Sequence, residues 1–250
     1  MGYWPVAEKV LYEADIILLV GDARMPDLSK NSEIERKVEI LKKPLLYIYN
    51  KIDLLSKEGL IDAKQKNKEA FFVSATKNIG IRELRKHLYI LAKKLKMEFP
   101  KIGVVGYPNI GKSAVINALA RRAKTEIADM PGTTKNVQWV KAGSLGIIDS
   151  PGVIPFKDKS TDLVLIGSKS PDKISNPDKV ALEIIQNFIS KDKKKLEEKY
   201  KIKISPAEDH GEILIDIGRR KGYLKKGGEV DETKTSISII RDWQKGKLGF

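Results

Sequence analysis

The chain reads Gly106-Tyr107-Pro108-Asn109-Ile110-Gly111-Lys112-Ser113 directly after an apolar segment at residues 102–105. This octapeptide matches the phosphate-binding pattern G-x-x-x-x-G-K-[ST], and the apolar segment before it predicts a strand. Residues 112–121, which follow, have helical spacing. Between a strand and a helix, the backbone N–H groups of such a loop bind nucleotide phosphates. The alternative is a chance match in a glycine turn. A chance match would not need a strand before it and a helix after it, so we predict a P-loop.

Each position of this P-loop has an expected role in holding a nucleotide. Gly111 allows a close approach of the backbone, Lys112 reaches the β- and γ-phosphates, and Ser113 places its hydroxyl on Mg²⁺. Lys112 is also a predicted catalytic residue, because its charge stabilises the transferred phosphoryl group. The residues expected to contact the phosphates are Asn109, Ile110, Gly111, Lys112, Ser113 and Ala114.

Asn50-Lys51-Ile52-Asp53 closes another apolar strand and matches N-K-x-D, the guanine-recognition pattern of G proteins. The Asp53 carboxylate accepts hydrogen bonds from the ring N–H and the amino group of guanine, which adenine does not offer in that arrangement. Lys51 is expected to pack over the base, and Asn50 to tie loops together. Ser74-Ala75-Thr76 follows the next short strand and is similar to the S-A motif whose backbone contacts the guanine oxygen. Together they predict GTP and GDP as the ligands.

Two further segments match switch elements. Asp149-Ser150-Pro151-Gly152 follows a predicted strand and fits D-x-x-G, so we expect Asp149 to hold Mg²⁺ through a water and the Gly152 N–H to meet the γ-phosphate. Pro131-Gly132-Thr133-Thr134 lies where a switch threonine belongs, with Thr134 the preferred Mg²⁺ ligand and a plain turn as the alternative. The predicted metal ligands are Ser113, Thr134 and Asp149, and the predicted catalytic residues are Lys112, Thr134 and Gly152.

The residue after Gly152 is Val153, where many GTPases have a glutamine that orients the attacking water. Valine cannot orient a water, so we expect slow intrinsic hydrolysis and another source of transition-state stabilisation. By analogy with GTPases that share this loop pattern, Asn109 is a candidate to help hold a potassium ion beside the phosphates.

The motifs occur in the order N-K-x-D, S-A, P-loop, threonine, D-x-x-G, which is a circular permutation of an ordinary G domain. The sheet tolerates this order because all five motifs are loops at the carboxyl ends of strands. We predict an α/β fold, with a permuted G domain at residues 1–170 and a smaller, basic, all-α domain at 171–250. Strands are predicted at 15–20, 45–49, 71–73 and 102–105, with a hairpin at 137–140 and 145–148; helices are predicted at 31–42, 81–95, 112–121, 180–200, 213–223 and 233–243.

Composition limits the other functional classes. The chain has no cysteine, which excludes disulfides and thiolate metal sites, and its histidines, His87 and His210, lie far apart, so we expect both to be structural. No apolar run or leader pattern predicts a membrane or secreted protein, so we expect a cytoplasmic monomer. The net charge of +14 favours polyanionic partners, although lysine and glutamate enrichment is also a pattern of hyperthermophile proteins.

The motif order resembles the YlqF/RbgA family of circularly permuted GTPases. Asp22-Ala23-Arg24-Met25-Pro26 and a C-terminal pattern carry the rest of the resemblance, which covers nearly the whole chain. The C-terminal pattern comprises Gly227-Gly228, Asp231, Lys234-Thr235, Ile240-Arg241-Asp242 and Gly246-Lys247-Leu248-Gly249. The resemblance implies assembly of the large ribosomal subunit, with the helical domain on ribosomal RNA. Bacterial members carry a catalytic histidine near the N-terminus, and no histidine lies around Trp4-Pro5-Val6-Ala7, so that role is not carried over.

Charge points to the same partner independently of the resemblance. Residues 191–250 hold 16 basic and 11 acidic side chains, a net charge of +5. The candidates for contacts with RNA phosphates are Lys191, Lys193, Lys194, Lys195, Arg219, Arg220, Lys221, Lys225 and Lys226. Three alternatives stay open: a solvated basic face, a regulatory GTPase that acts on a protein partner without RNA, and a peripheral membrane GTPase. The last lacks an amphipathic helix with an aromatic apolar face.

Overall fold

The structure is a computed structural model that describes residues 4–121, 127–128, 139–155, 157–205 and 208–249. The chain divides into two compact units. The first holds residues up to Asp53 together with Lys57–Lys157, and the second holds Leu54–Ser56 together with the chain from Asp158 onward. Across the described ranges, we find no helix that combines the length and the apolar character needed to cross a membrane.

The first unit contains a sheet with helices. Its strands are β1 (Ile16–Asp22), β2 (Leu45–Asn50), β3 (Phe71–Phe72), β4 (Lys101–Gly106), β5 (Ile127–Ala128), β6 (Trp139–Ala142) and β7 (Leu145–Asp149). Its helices are α1 (Trp4–Glu13), α2 (Ser32–Ile40), α3 (Lys57–Lys66), α4 (Ile81–Lys94) and α5 (Lys112–Ala120). The second unit contains α6 (Ser160–Leu165), α7 (Pro177–Lys191), α8 (Lys193–Tyr200), α9 (His210–Lys221) and α10 (Glu232–Gln244).

The sheet brings the predicted motifs to one edge. In the described part of the chain its strand order is β3-β2-β1-β4-β7-β6-β5, and the strands from β3 to β7 in that order are parallel. Asp22 at the end of β1 pairs with Asn50 at the end of β2, and Val104 of β4 pairs with Asp149 at the end of β7. Since these strands run in one direction, the loops that follow them meet at the carboxyl edge of the sheet.

The apolar runs form the strands that the sequence predicts. A parallel sheet is covered on both faces, so its strands need apolar side chains on both sides and appear in the sequence as continuous hydrophobic runs. All seven residues of β1 are buried. The predicted hairpin is confirmed as β6 and β7, which pair antiparallel and end in a turn with Gly143 at φ 68°. The α/β class with permuted motif order is therefore confirmed.

The helices differ from the prediction in two ways. Helices α1, α3 and α6 are not predicted from the sequence, although Ala7, Val10 and Leu11 form a buried face on α1. The single helix predicted at 180–200 is wrong, because the chain breaks between α7 and α8 at Asp192. There φ is −158°, and the Asp192 side chain accepts the Lys195 N–H as the N-cap of α8. Aspartate competes with helix continuation in this way because its carboxylate satisfies a free backbone donor.

The second unit is helical, as predicted. Its core includes the perpendicular rings of Phe188 in α7 and Trp243 in α10, whose centroids lie 6.2 Å apart. The Trp243 indole N–H donates to the Leu165 carbonyl at 2.7 Å, which ties α6 to α10. Helix α6 therefore groups with this unit, whereas the predicted domain boundary lies later, after residue 170.

Candidate nucleotide-binding site

The P-loop joins the end of β4 to the start of α5. Its backbone has positive φ angles at Gly106 (140°), Asn109 (56°) and Gly111 (105°). Glycine adopts such angles at little cost, and asparagine is among the few other residues that tolerate them. The turn leaves the first N–H groups of α5 without helical partners at the mouth of the loop, which is the geometry that favours an anion.

Lys112 lies folded over this loop. Its side chain is buried, and Nζ donates to the Tyr107 carbonyl at 2.8 Å and to the Gly106 carbonyl at 3.4 Å. Burial lowers the pKa of the Lys112 ammonium, and the nearby Asp149 carboxylate opposes that shift. The Lys112 ammonium can therefore give up its hydrogen bonds to these neutral carbonyls and donate to phosphate oxygens instead.

The predicted metal ligands of α5 and β7 meet in space. The Ser113 hydroxyl donates to Oδ2 of Asp149 at 2.6 Å, and both side chains are exposed. A hydroxyl and a carboxylate are the hard oxygen ligands that Mg²⁺ prefers, and Mg²⁺ usually keeps few protein ligands beside phosphates and water. The third predicted ligand, Thr134, lies outside the described residues with Pro131, Gly132 and Thr133. Among the described residues, no cluster of three or more acidic, histidine or cysteine ligands competes with this site.

Asn50 connects three of the loops. Its Oδ1 accepts the Ala75 N–H at 3.0 Å, which joins the N-K-x-D and S-A motifs. A Cβ atom at Gly111 would lie 2.5 Å from Asn50 Nδ2, so a side chain there would displace the amide. Gly111 therefore makes room for the Asn50 amide. The sequence explains this glycine only by the close approach of the backbone to the nucleotide.

Asp53 and Ser74, which are both predicted to contact the base, lie side by side. The Ser74 hydroxyl donates to Oδ1 of Asp53 at 2.6 Å and accepts the Lys77 N–H at 3.1 Å. Ser74 is completely buried, whereas Asp53 is exposed. Thr76 completes the cluster, with its hydroxyl 3.2 Å from that of Ser74. The buried Ser74 thus orients the exposed Asp53 carboxylate, and a ligand that enters from solvent can approach its other oxygen, Oδ2.

A buried charge network supports Lys51. Its Nζ donates to Oδ2 of Asp22 at 2.8 Å, and Asp22 also accepts two bonds from the Arg24 guanidinium, at 3.0 and 2.8 Å. Asp22 and Arg24 are almost fully buried. Burial acts to raise the pKa of Asp22, but the charges and hydrogen bonds of Arg24 and Lys51 outweigh it and hold that pKa below its usual range. The sequence does not predict the link from this pair to Lys51, which the pairing of β1 with β2 creates.

The D-x-x-G segment packs directly on the P-loop. A Cβ atom at Gly152 would lie 2.3 Å from the Pro108 nitrogen, so only glycine fits. The next residue, Val153, donates its N–H to the Gly106 carbonyl at 3.2 Å. Its side chain is buried in the apolar cluster that includes Leu11, Ile34 and Val38, so it points away from the candidate site.

The two histidines lie elsewhere. The His87 ring packs at a tilt against the Phe71 ring, with centroids 4.9 Å apart, and His210 begins α9 in the second unit. Neither contributes to the loops described above.

Comparisons with known proteins agree with this geometry. A family model described as "50S ribosome-binding GTPase" matches residues 101–214, which begins at the P-loop strand as a permuted order requires. The chain is 37% identical over 251 residues to the "Uncharacterized GTP-binding protein MJ1464" of Methanocaldococcus jannaschii, with 98% of this chain and 65% of that protein covered. It is 32% identical over 261 residues to "Ribosome biogenesis GTPase A" of Bacillus cereus, with 98% and 87% covered.

The fold also resembles solved structures of YlqF from T. maritima. The GDP-bound form has a TM-score of 0.65 at 21% identity, with 97% of this chain and 95% of that chain covered. The GNP-bound form has a TM-score of 0.61 at 23% identity, with 97% and 93% covered. At these identities the likeness establishes the fold. The chain spans about two thirds of the Methanocaldococcus protein and nearly all of the Bacillus protein. By its sequence match to the latter, the chain belongs to the YlqF/RbgA family of circularly permuted GTPases.

Proposed function

We propose that this chain binds GTP at the carboxyl edge of the sheet, hydrolyses it to GDP and phosphate, and acts in assembly of the large ribosomal subunit. The observation that carries the GTPase part is the convergence of four motifs from separate strands. Asp53 lies on Ser74, Asn50 reaches Ala75 and Gly111, and Ser113 meets Asp149. Such a convergence supports a single site at this edge for the base, the phosphates and the metal.

Nucleotide choice follows from Asp53. Its carboxylate is oriented by the buried Ser74 hydroxyl and accepts two hydrogens from guanine. Adenine would leave this acceptor unpaired and partly desolvated, which is strongly unfavourable.

Phosphate binding uses the P-loop donors and Lys112, and Ser113 with Asp149 would hold Mg²⁺. When bound, the metal neutralises charge that develops on the phosphates. Lys112 supplies a second positive charge, and the Gly152 N–H donates towards the γ-phosphate. Asn109 is a candidate to help hold a potassium ion, which would add to the same charge stabilisation.

Turnover is expected to be slow in the protein alone. The Val153 side chain lies in the core and cannot orient water, and neither histidine lies at the site. The activating group therefore comes from bound potassium or from a partner. A GTPase of this kind waits for its target before it hydrolyses.

The ribosomal part of the proposal is supported by a relative's name and by charge. The Bacillus relative is called a ribosome biogenesis GTPase. In the second unit, an antiparallel bridge between Leu224 and Val230 closes a turn that exposes Lys225 and Lys226. Gly227 and Gly228 have φ angles of 107° and 89°, which glycine alone adopts readily. This basic turn suits RNA phosphates.

Several other predicted phosphate contacts are used within the second unit. Lys193 donates to the Ile204 carbonyl, and Lys195 and Arg219 pair with Asp192 and Asp216. Lys221 donates to Ser238 and Asp242. The basic turn at 225 and 226 is therefore the sharper place for a test.

Hydrolysis of GTP is measured with and without purified large ribosomal subunits, in potassium and in sodium. We expect slow turnover alone, stimulation by subunits, and loss of tight triphosphate binding in Lys112→Ala. Absence of both stimulation and co-sedimentation at low salt would contradict the ribosomal part. Stimulation by an RNA-free protein partner would instead favour a regulatory GTPase without RNA.

The double variant Lys225→Gln/Lys226→Gln tests the surface. The negative slope of log K against log salt for subunit binding is expected to become shallower by roughly 0.7 to 0.9 for each RNA phosphate that the variant no longer neutralises. The control Lys57→Gln/Lys86→Gln removes the same charge from exposed positions of the first unit. Equal slopes for the two double variants would exclude the basic turn as the RNA-binding surface.

A further inference from the structure

Asn31 is a buried side chain that joins the start of α2 to the segment after Gly152. We propose that Asn31 is a positioning residue for Gly152 and determines how tightly the protein binds GTP relative to GDP. This inference rests on the proposed GTPase function, because it concerns the γ-phosphate at that same site.

Both ends of the Asn31 amide are used. The side chain is completely buried, and its Oδ1 accepts the Ile34 N–H at 3.1 Å as the N-cap of α2. Its Nδ2 donates to the Val153 carbonyl at 3.3 Å, across 122 positions of sequence. One end of the amide is thus anchored in a helix, and the other end holds the backbone that follows D-x-x-G.

The Val153 backbone in turn determines where Gly152 lies. Its N–H donates to the Gly106 carbonyl at 3.2 Å, while its carbonyl accepts from Asn31. Gly152 itself packs on Pro108 of the P-loop, with no room for a Cβ atom. The Gly152–Val153 segment is therefore restrained by the P-loop at Pro108 and Gly106, and by Asn31 at the Val153 carbonyl.

A second donor acts on the same segment. The Trp4 indole N–H of α1 donates to the Ile154 carbonyl at 3.3 Å, but this bond is exposed to solvent. Water replaces an exposed donor readily, whereas a buried carbonyl that loses its donor stays unpaired. Asn31 is therefore the stronger restraint of the two.

Only one of the two nucleotides depends on this restraint. GDP is held by the base loops and the P-loop, whereas GTP adds the contact between its γ-phosphate and the Gly152 N–H. Hydrogen bonds weaken steeply when their angle deteriorates, so a displaced peptide no longer reaches the γ-phosphate. Removal of the Asn31 amide is expected to weaken GTP binding and to leave GDP binding in place.

Two variants separate positioning from capping. Serine and aspartate both serve as N-caps, so Asn31→Ser and Asn31→Asp retain the start of α2. Serine lacks the amide donor, and aspartate presents an acceptor to the Val153 carbonyl. Asp231→Ser is the matched control, since it exchanges the N-cap of α10 in the second unit.

Affinities for GDP and for a non-hydrolysable GTP analogue are measured with fluorescent nucleotides, and folding is checked by thermal unfolding. For Asn31→Ser we expect GDP affinity within about twofold of the parent and analogue affinity about fivefold to tenfold weaker, as loss of one ordinary hydrogen bond gives. Asn31→Asp is expected to have the larger effect. The control keeps the parental ratio of the two affinities.

Two results distinguish the ways in which this inference can fail. Asn31 variants with the parental ratio, or with equal losses for both nucleotides, would overturn the positioning role alone. A parent protein that binds neither nucleotide would overturn the proposed function, and this inference with it.

Discussion

At the scale of single residues, the proposed recognition of guanine depends on one oriented carboxylate. Asp53 is exposed, but its Oδ1 is held by the hydroxyl of the completely buried Ser74. The Ser74 hydroxyl also accepts the Lys77 N–H, so its own orientation is determined by the backbone. A ligand therefore meets an acceptor that is already in place, which reduces the entropy lost on binding.

Asp53→Asn is expected to shift the preference from guanosine to xanthosine nucleotides. The amide offers a donor where the carboxylate only accepts, and it leaves the amino group of guanine badly paired. Competition between GDP and XDP for the site measures the change, with a loss of about 100-fold or more for GDP. Asp62→Asn, an exposed carboxylate on α3, is the control. Unchanged selectivity would remove Asp53 from the base site.

Val153 shows how one side chain excludes a common mechanism. Valine has no polar atom with which to orient the attacking water. The structure also buries this side chain in the apolar cluster with Leu11 and Ile34. A glutamine at this position would therefore meet hydrocarbon instead of nucleotide.

Val153→Gln is expected to leave intrinsic hydrolysis slow and to destabilise the first unit by about 1–3 kcal/mol, the usual range for burying an unpaired amide. Single-turnover hydrolysis and thermal unfolding test the two effects. Ile154→Gln, one residue along and more exposed, provides the comparison. A variant with faster hydrolysis and parental stability would mean that position 153 faces the nucleotide.

At the scale of elements, the C-terminus of α1 is capped by a side chain from a distant part of the chain. The Lys43 ammonium donates to the carbonyls of Leu11, Tyr12 and Ala14 at 2.7, 2.5 and 2.6 Å. The last carbonyls of a helix lack partners, and a cation beside them also interacts favourably with the helix dipole. Lys43 therefore caps α1 through tertiary structure.

Lys43→Met is expected to lower stability by about 1–2 kcal/mol, because it leaves partly buried carbonyls without their donor. For a chain of this size the melting temperature is expected to fall by roughly 2–8 °C. The neighbouring exposed Lys42→Met removes the same charge without touching these carbonyls. Equal melting temperatures for the two variants would exclude the capping role.

The break between α7 and α8, in contrast, has a local cause. Asp192 turns its carboxylate to the Lys195 N–H and so starts a second helix within the segment for which one helix is predicted. On the far side of the break, Leu196 and Tyr200 form the buried face of α8.

At the scale of the whole molecule, the permuted order is compatible with the G-domain sheet because the loops meet at one edge whatever their order along the chain. β1 lies between β2 and β4, so the N-K-x-D strand and the P-loop strand flank the strand that ends at Asp22. The charge network of Asp22, Arg24 and Lys51 occupies this central position. Permutation thus changes which segments come first along the chain and leaves the loops at the same edge of the sheet.

The sequence alone determined the class of the fold, the motif order and the residues that we expect to bind nucleotide, because those motifs are contiguous and their strands are plain apolar runs. Its periodicity also predicted most helices, apart from α1, α3, α6 and the break at Asp192. These are local properties, which a window of a few residues contains.

Only the tertiary structure decided the contacts between motifs. The link from Asp22 to Lys51, the room that Gly111 makes for Asn50, and the bond from Asn31 to Val153 each join residues that are distant in sequence. Strand register and helix packing bring such residues together, and neither is encoded in a single segment of the chain. The choice of guanine could therefore be predicted from Asp53, whereas the restraint on Gly152 required the folded molecule.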